Sequence, residues 1–550
     1  MTALLLKAID PSRWRRLGER YIAQWRQRRA ADRLDRLLSG LEPARPAAAG
    51  EGTVVADGMW FNPNHFFRLR LFLEALAAKG ENFRLLGILR KKSDIRALNA
   101  LRRLGFSEFL FVEEDDEFCT EHFRKEADAL LAKVRCYQDL LDIPLPEGVP
   151  AYTYYDTVLK LAAHPQPLLR DPIWSKTLAE TLRNVAIYRR ELDRRKIVHV
   201  VLSHPWKSEW ATLLWLAIGR GIPSYHLTAF CEAIRIRRFR SRTDYATPVE
   251  HLPFDQFESL APIVQQQLSE VGREDLARRV TGTSTDINAR YAFNPAKRIN
   301  DRNAARLMLS GQTARPVAVV YCHIWFDFPH TFGMKNFADM KDWMECTIEH
   351  IRTCDDVVWL LKPHPTENWY GGFSLADMAQ DLPSHVRVLP LNTDSQTVMT
   401  AADAIVTVHG TIGLEAAAQG LTVVMGDRSY FSDWKIGYAA QSRDDYRRLL
   451  SSISRLPEPE NIARERAMAC FATALSKPPS FVDALEMSCD SSGLALYAEI
   501  TDRLMSRPDE CVREIERLAA FLKQSEIDSY AAFSLVNALS RKIPAKSAVA

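Results

Sequence analysis

Three short segments carry residue types that can hold and protonate a phosphate. The first is Lys362-Pro363-His364-Pro365, which follows the apolar run Val357-Val-Trp-Leu-Leu361. Each proline fixes its own φ and restricts the residue before it, so His364 is held stiffly at the end of a strand. Its imidazole can donate a hydrogen bond or a proton to a leaving phosphate, and Lys362 adds charge. The second is Thr407-Val408-His409-Gly410-Thr411-Ile412-Gly413-Leu414-Glu415, within Ala401–Gly420. It reads as a strand, a glycine turn and the start of a helix, with Thr411 as N-cap and Gly420 just past the helix end. The N–H groups and the positive dipole end at Thr411, Ile412 and Gly413 favour an anion. The third, His323-Ile-Trp-Phe-Asp327-Phe-Pro-His330, again ends an apolar strand, Val317–Cys322. His323, Asp327 and His330 can contact a bound ligand; no carboxylate pair flanks them, so no metal site is expected. Blander duties compete with each motif: a Gly-Thr-x-Gly turn also packs a helix closely on a strand, and a proline-flanked histidine can be an idle loop residue.

Strands and helices must alternate to position these segments. Thr53–Ala56, Phe83–Leu89, Phe109–Val112, Ile197–Ser203 and Pro223–His226 read as one set of strands, with helices over Phe66–Lys79 and Ser208–Arg220. After a polar stretch around Leu268–Arg302, Val317–Cys322, Val357–Leu361, Val386–Leu389, Ala404–Val408 and Leu421–Met425 supply a second set. Such βαβ rhythm implies parallel sheets, and two successive doubly wound units imply a cleft at the strands' carboxyl ends. The expected organisation is a basic amphipathic helix and linker over 1–52, Rossmann-like domains over 53–290 and 291–455, and a helical region over 456–550. An acidic run, Glu113–Glu117, reads as a solvated loop.

The chain has 550 residues, 47% of them hydrophobic and 26% charged, more than one core usually accommodates. Its net charge of +3 makes no case for nucleic acid, and the conspicuous charge is local. Between Arg13 and Arg36 nine arginines face only Glu19, Asp32 and Asp35, while Trp14, Leu17, Tyr21 and Trp25 recur at helical spacing. A helix over 12–38 could therefore lie on an anionic membrane surface, or pack its aromatic stripe on the protein itself. Nine scattered cysteines, the short apolar start and the lack of an 18-residue apolar stretch suit a reduced, cytoplasmic protein, soluble or peripheral at the inner membrane.

Taken together, Lys362-Pro-His-Pro, Thr407-Val-His-Gly-Thr-Ile-Gly-Leu-Glu-Ala416 and Gly420-Leu-Thr-Val-Val-Met-Gly426 resemble the nucleotide-sugar half of a GT-B glycosyltransferase. The likeness is to bacterial capsule and surface-polysaccharide transferases, among them users of CMP-activated Kdo. Weaker likenesses lie at Tyr154-Tyr-Asp156-Thr-Val-Leu-Lys160, Val201-Leu-Ser-His204 and Gly221-Ile-Pro-Ser-Tyr225. The resemblance implies an α/β GT-B fold, two Rossmann-like domains facing a central cleft, and metal-independent sugar transfer to a glycan or glycolipid acceptor such as capsule or lipopolysaccharide. It implies a nucleotide-sugar as substrate and no cofactor. His364 would meet the donor phosphate, with Gly410, Thr411 and Ile412 cradling it and Lys362, His409, His323, Asp327 and Glu415 completing the donor side. Glu415 could equally be a solvent-facing helix residue. Asp57, standing between the opening strand and Gly58, is the first candidate base, with Asp156 and His204 as alternatives. Paired hydroxyl residues common to CMP-sugar transferases are missing at the turn, where His409 separates Thr407 from Thr411. A CDP-glycerol-type polyol-phosphate transferase, a nucleotide-sugar epimerase and a non-catalytic scaffold of a polysaccharide assembly complex are the alternatives.

Overall fold

The computed structural model describes residues 25, 29, 32, 52–228, 234–246, 249–284, 286–367, 372–476 and 506–541. The basic helix expected over 12–38 and its linker lie outside them, apart from Trp25, Arg29, Asp32 and Gly52. Trp25 and Arg29 are exposed, and the guanidinium sits 4.3 Å from the indole centroid. The chain divides into two compact units, Met1–Glu114 with Ser480–Lys523, and Asp115–Pro479 with Gln524–Ala550.

In the first unit β1 (Gly52–Asp57), β2 (Phe83–Leu89) and β3 (Glu108–Phe111) run parallel in the order β3-β2-β1. The helix Pro63–Ala78 crosses from β1 to β2, and the helix Pro508–Lys523 packs on it. Asp57 ends β1 as a fully buried residue rather than an exposed turn carboxylate. His65 Nε2 lies 3.1 Å from its carbonyl and 3.8 Å from Oδ1.

The second unit holds β4 (Ile197–Leu202) and β5 (Ser224–Thr228), which are parallel, and β6 (Arg235–Phe239), antiparallel to β5. Its other strands are β7 (Val317–Tyr321), β8 (Val358–Lys362), β9 (Val386–Val388), β10 (Ala404–Thr407), β11 (Thr422–Met425) and β12 (Tyr438–Ala439). They are parallel in the order β12-β11-β10-β7-β8-β9. β-branched and aromatic residues fill the middle strands: every residue of β7, β8 and β10 is buried, as suits strands covered on both faces. Two parallel-dominated sets of six strands alternate with helices, giving the α/β, Rossmann-like halves that the sequence rhythm predicts. β6 and β12 were not anticipated. Described helices of the C-terminal region are Asn461–Leu475, Pro508–Lys523 and Tyr530–Ser540. No described helix is long and apolar enough to cross a membrane, and every described cysteine is a free thiol.

Candidate functional site

Strand order explains why three motifs far apart in sequence meet. From β7 the chain builds outward through β8 and β9, then returns to the other side of β7 for β10 to β12. The loops after β10, β7 and β8 are therefore adjacent, and the reversal at β7 and β10 opens a crevice at their carboxyl ends, where α/β sheets bind ligands.

At β10 the helix Thr411–Ala418 begins without a side-chain cap. Gly410, not Thr411, is its N-cap, with extended φ −71° and ψ 148°. Gly410 donates its N–H to Thr407 Oγ1 at 3.2 Å, and a Cβ there would fall 2.9 Å from both His323 and Thr407 Oγ1. Only glycine brings the backbone this close. The Gly413 N–H is used by the Gly410 carbonyl at 2.9 Å, so Thr411 and Ile412, both partly exposed, carry the open first-turn amides. Gly420, at φ +85°, follows the helix end as expected. Glu415 is buried rather than solvent-facing, and its carboxylate accepts from Arg279 at 2.7 Å.

Histidines crowd the crevice. The His323 and His409 rings meet edge to face at 4.9 Å, and His323 Nε2 lies 3.1 Å from Thr407 Oγ1. Burial drives the His409 pKa down to about 3, with help from His330; burial also takes His323 well below its ordinary value, with His409 and His364 adding to it. His364 is lowered to about 4, chiefly by burial, while Asp327 pulls the other way. All three are neutral imidazoles at pH 7. The Thr366 N–H donates to His364 Nδ1 at 3.3 Å and the Thr366 hydroxyl lies 3.0 Å from it, so the ring's proton belongs on Nε2. Lys362 is spent differently: its ammonium is buried and donates to the carbonyls of Leu391 at 2.8 Å and Pro363 at 3.3 Å, and burial lowers it to about 8.

The loop after β7 reaches the helix Tyr152–Ala162. Lys160 Nζ bonds Asp327 Oδ1 at 2.6 Å, and Asp156 binds the loop twice. Its Oδ1 lies 2.7 Å from His330 Nδ1, while Oδ2 accepts from the Thr331 N–H at 3.1 Å and hydroxyl at 3.2 Å. Further on, Asp427 accepts from the N–H groups of Lys335 and Asn336, both at 2.6 Å. Trp325 donates to Glu367 at 2.8 Å, tying this loop to the one after β8. Phe328 is held at φ +55°, backbone strain of the kind concentrated at functional loops.

Two buried polar atoms of this region, His409 Nδ1 and His330 Nε2, have no hydrogen-bond partner among the described residues, and Tyr430 interacts with the side chain of Thr411. Such unpartnered atoms keep hydrogen-bonding capacity that a bound ligand can use. The structure thus brings His323, Asp327, His364, His409, Gly410, Thr411, Ile412 and Asp156 to one region. His204 packs its ring 5.1 Å from Trp210 and 5.8 Å from Trp206, and Asp57 belongs to the other unit. Thr366 and Tyr430 were missed; the Thr366 spacing, two residues after His364, was the available signal. Among the described residues no group of three or more His, Cys, Asp or Glu side chains is arranged for a metal ion.

The two parallel-dominated sheets with their helices define an α/β fold of Rossmann-like halves. No protein-family model and no curated protein matches the chain. Among solved structures it resembles the beta-Kdo 2,4 transferase KpsC of Thermosulfurimonas dismutans, at 11% identity and TM-score 0.32 over 50% of this chain and 79% of that one. It also resembles a UDP-GlcNAc 2-epimerase of Neisseria meningitidis bound to UDP-GlcNAc, at 10% identity and TM-score 0.24 over 83% and 100%. A glycosyltransferase of Rickettsia africae is similar at 9% identity and TM-score 0.25 over 84% and 99%.

Proposed function

We propose that the chain is a glycosyltransferase, moving a sugar from a nucleotide-sugar such as CMP-Kdo to a hydroxyl of a surface glycan or glycolipid, capsule or lipopolysaccharide, without metal or cofactor. The observation that carries this reading is the helix start at Gly410, which lacks a side-chain cap and lies beside the buried, unpartnered His409 Nδ1. The preorganised amide donors of such a start suit a departing nucleotide phosphate. In this reading His364 Nε2–H and the amides of Thr411 and Ile412 hold the phosphate, while Gly410 lets it approach the backbone. The acceptor oxygen bonds to the anomeric carbon as that carbon's bond to the phosphate oxygen breaks, and the electron pair leaves on the nucleotide.

Of the base candidates, Asp156 is favoured through its contact with His330: the hydroxyl proton passes to His330 Nε2 and the carboxylate steadies the resulting imidazolium. Residues 1–52 are proposed as a peripheral anchor on the inner face of the cytoplasmic membrane, 53–290 as the acceptor domain, 291–455 as the donor domain and 456–550 as a helical tail. A thermal-shift screen against CMP, UDP, GDP and CDP, followed by incubation of the matching nucleotide-sugars with and without glycolipid acceptor, tests the function. Nucleotide release that depends on acceptor is expected. No nucleotide binding, or donor conversion without acceptor, overturns it.

A further inference from the structure

One buried cation near this site has no role in the scheme above. Arg237 in β6 is 3% exposed, and its Nε and Nη1 have no hydrogen-bond partner. The carboxylates that act on it electrostatically, Asp528, Asp244 and Glu250, make no ion pair with it, and each is engaged elsewhere. Asp528 takes Arg238 and Arg240 at 2.7 and 2.8 Å. Asp244 takes the N–H groups of Arg240 and Ser241. Glu250 takes Ser529 and the N–H groups of Ile236 and Ala531. Burial lowers the guanidinium pKa against the pull of the three carboxylates, and the guanidinium carbon lies 5.9 Å from the Phe239 ring centroid. A buried cation with unused donors is costly on its own and suited to an oxyanion.

Two lines of contact locate the guanidinium. β5 and β6 pair antiparallel with Arg237 opposite His226, so the two side chains share a face of the sheet. The His226 ring is 5.7 Å from Trp206, Trp206 is 5.6 Å from Phe332, and Phe332 is 6.0 Å from His409. On the other flank Arg237 acts electrostatically on His251, whose ring is 5.7 Å from Tyr430, the neighbour of Thr411. Both lines end on the turn His409-Gly410-Thr411.

We propose that Arg237 is an oxyanion-binding residue of the pocket at the Gly410 turn, holding a phosphate or a sugar carboxylate of the bound ligand. The proposal rests on reading that turn as a donor site, and adds that the donor is clamped by a charged group from β6, opposite the helix start.

The test is calorimetric titration of wild type, Arg237→Met and Arg237→Lys with CMP, cytidine, UDP, uridine, inorganic phosphate and N-acetylneuraminate, with circular dichroism as the control for folding. Wild type is expected to bind at least one anion, and Arg237→Met to weaken it about 10- to 100-fold, the usual worth of a hydrogen bond to a charged group, with nucleoside binding unchanged. Weakening of CMP, UDP or inorganic phosphate assigns the clamp to phosphate; weakening of N-acetylneuraminate alone assigns it to a carboxylate. Arg237→Lys keeps the charge but loses the planar fork, and about a fivefold weakening is expected. Should Arg237→Met not fold, that variant alone decides. Anion binding unchanged in the folded variants, or absent from wild type, overturns the proposal. If nucleotides bind wild type and variants alike, the clamp fails while the transferase reading stands. If phosphate binding needs Arg237 but no nucleotide binds, the clamp stands and the transferase reading falls.

Discussion

Asp156 Oδ1 and His330 Nδ1 lie 2.7 Å apart, both side chains buried, and the imidazole's other nitrogen is left without a partner. If this pair takes the acceptor's proton, His330→Gln lowers kcat about 10²- to 10⁴-fold, the range of general-base catalysis, with nucleotide affinity unchanged. Asp156→Asn lowers kcat as well, and also costs stability because Thr331 donates to the same carboxylate. Steady-state kinetics beside nucleotide titrations separate the effects; equal loss of nucleotide binding in His330→Gln counts against the base.

His364→Ala should abolish transfer while the protein stays folded, since among the described residues the ring's hydrogen bonds run to Thr366 two residues away. Thr366→Val, which removes one of the contacts at Nδ1, should give a milder loss of about tenfold or less. Transfer assays with circular dichroism controls decide it, and activity retained by His364→Ala with several donors would sink the phosphate role.

Gly410→Ala places a methyl 2.9 Å from His323 and Thr407 Oγ1. Overpacking of this kind costs about 1–3 kcal/mol, and the displaced histidine no longer fits the turn. Loss of nucleotide affinity larger than the drop in stability is expected from titration and denaturant unfolding. A variant binding normally would show that the close approach serves helix packing alone.

His409 is held at a pKa of about 3, far below the ordinary value near 6.5, mainly by burial. The unfolded chain therefore binds the extra proton first. This histidine's contribution to stability is complete above about pH 6.5 and is lost as pH falls toward 3, with His364, at about 4, acting in the same direction. The loss amounts to a few kcal/mol at most. Denaturant midpoints measured between pH 7 and pH 4 should fall less steeply in His409→Asn than in wild type; identical slopes would mean that other groups set the acid limit.

Arg279 and Glu415 form a buried pair at 2.7 Å. Arg279 keeps its second partner, Asp286, when Glu415 is removed, so Glu415→Ala should destabilise by about 1–3 kcal/mol. If that variant melts like wild type yet binds nucleotide poorly, Glu415 meets the ligand after all.

Much of this geometry was legible in the chain. β7, β8 and β10 are short apolar runs, and β8 and β10 soon meet Pro363 and Gly410, punctuation that marks both the strand and its loop. β6 was not legible because Arg235, Arg237 and Arg238 make it look like surface, whereas antiparallel pairing and partners in the 524–532 segment bury it. The helix start was misplaced by one residue: threonine and glycine are about equally good N-caps by propensity, and the approach of His323 demands glycine there. Lys362 shows the opposite limit, because sequence spacing cannot tell that its ammonium turns to the Leu391 carbonyl.

The segment from His323 to Asn336 is one covalent stretch fastened at both ends of its course, to Thr407 through His323 and to the helix Tyr152–Ala162 through His330 and Thr331. A ligand that displaces this segment as a whole shifts both fastenings together. Occupancy on the two sides is therefore linked by a single coupling free energy that acts equally in both directions, so that whichever partner arrives first changes the affinity met by the second.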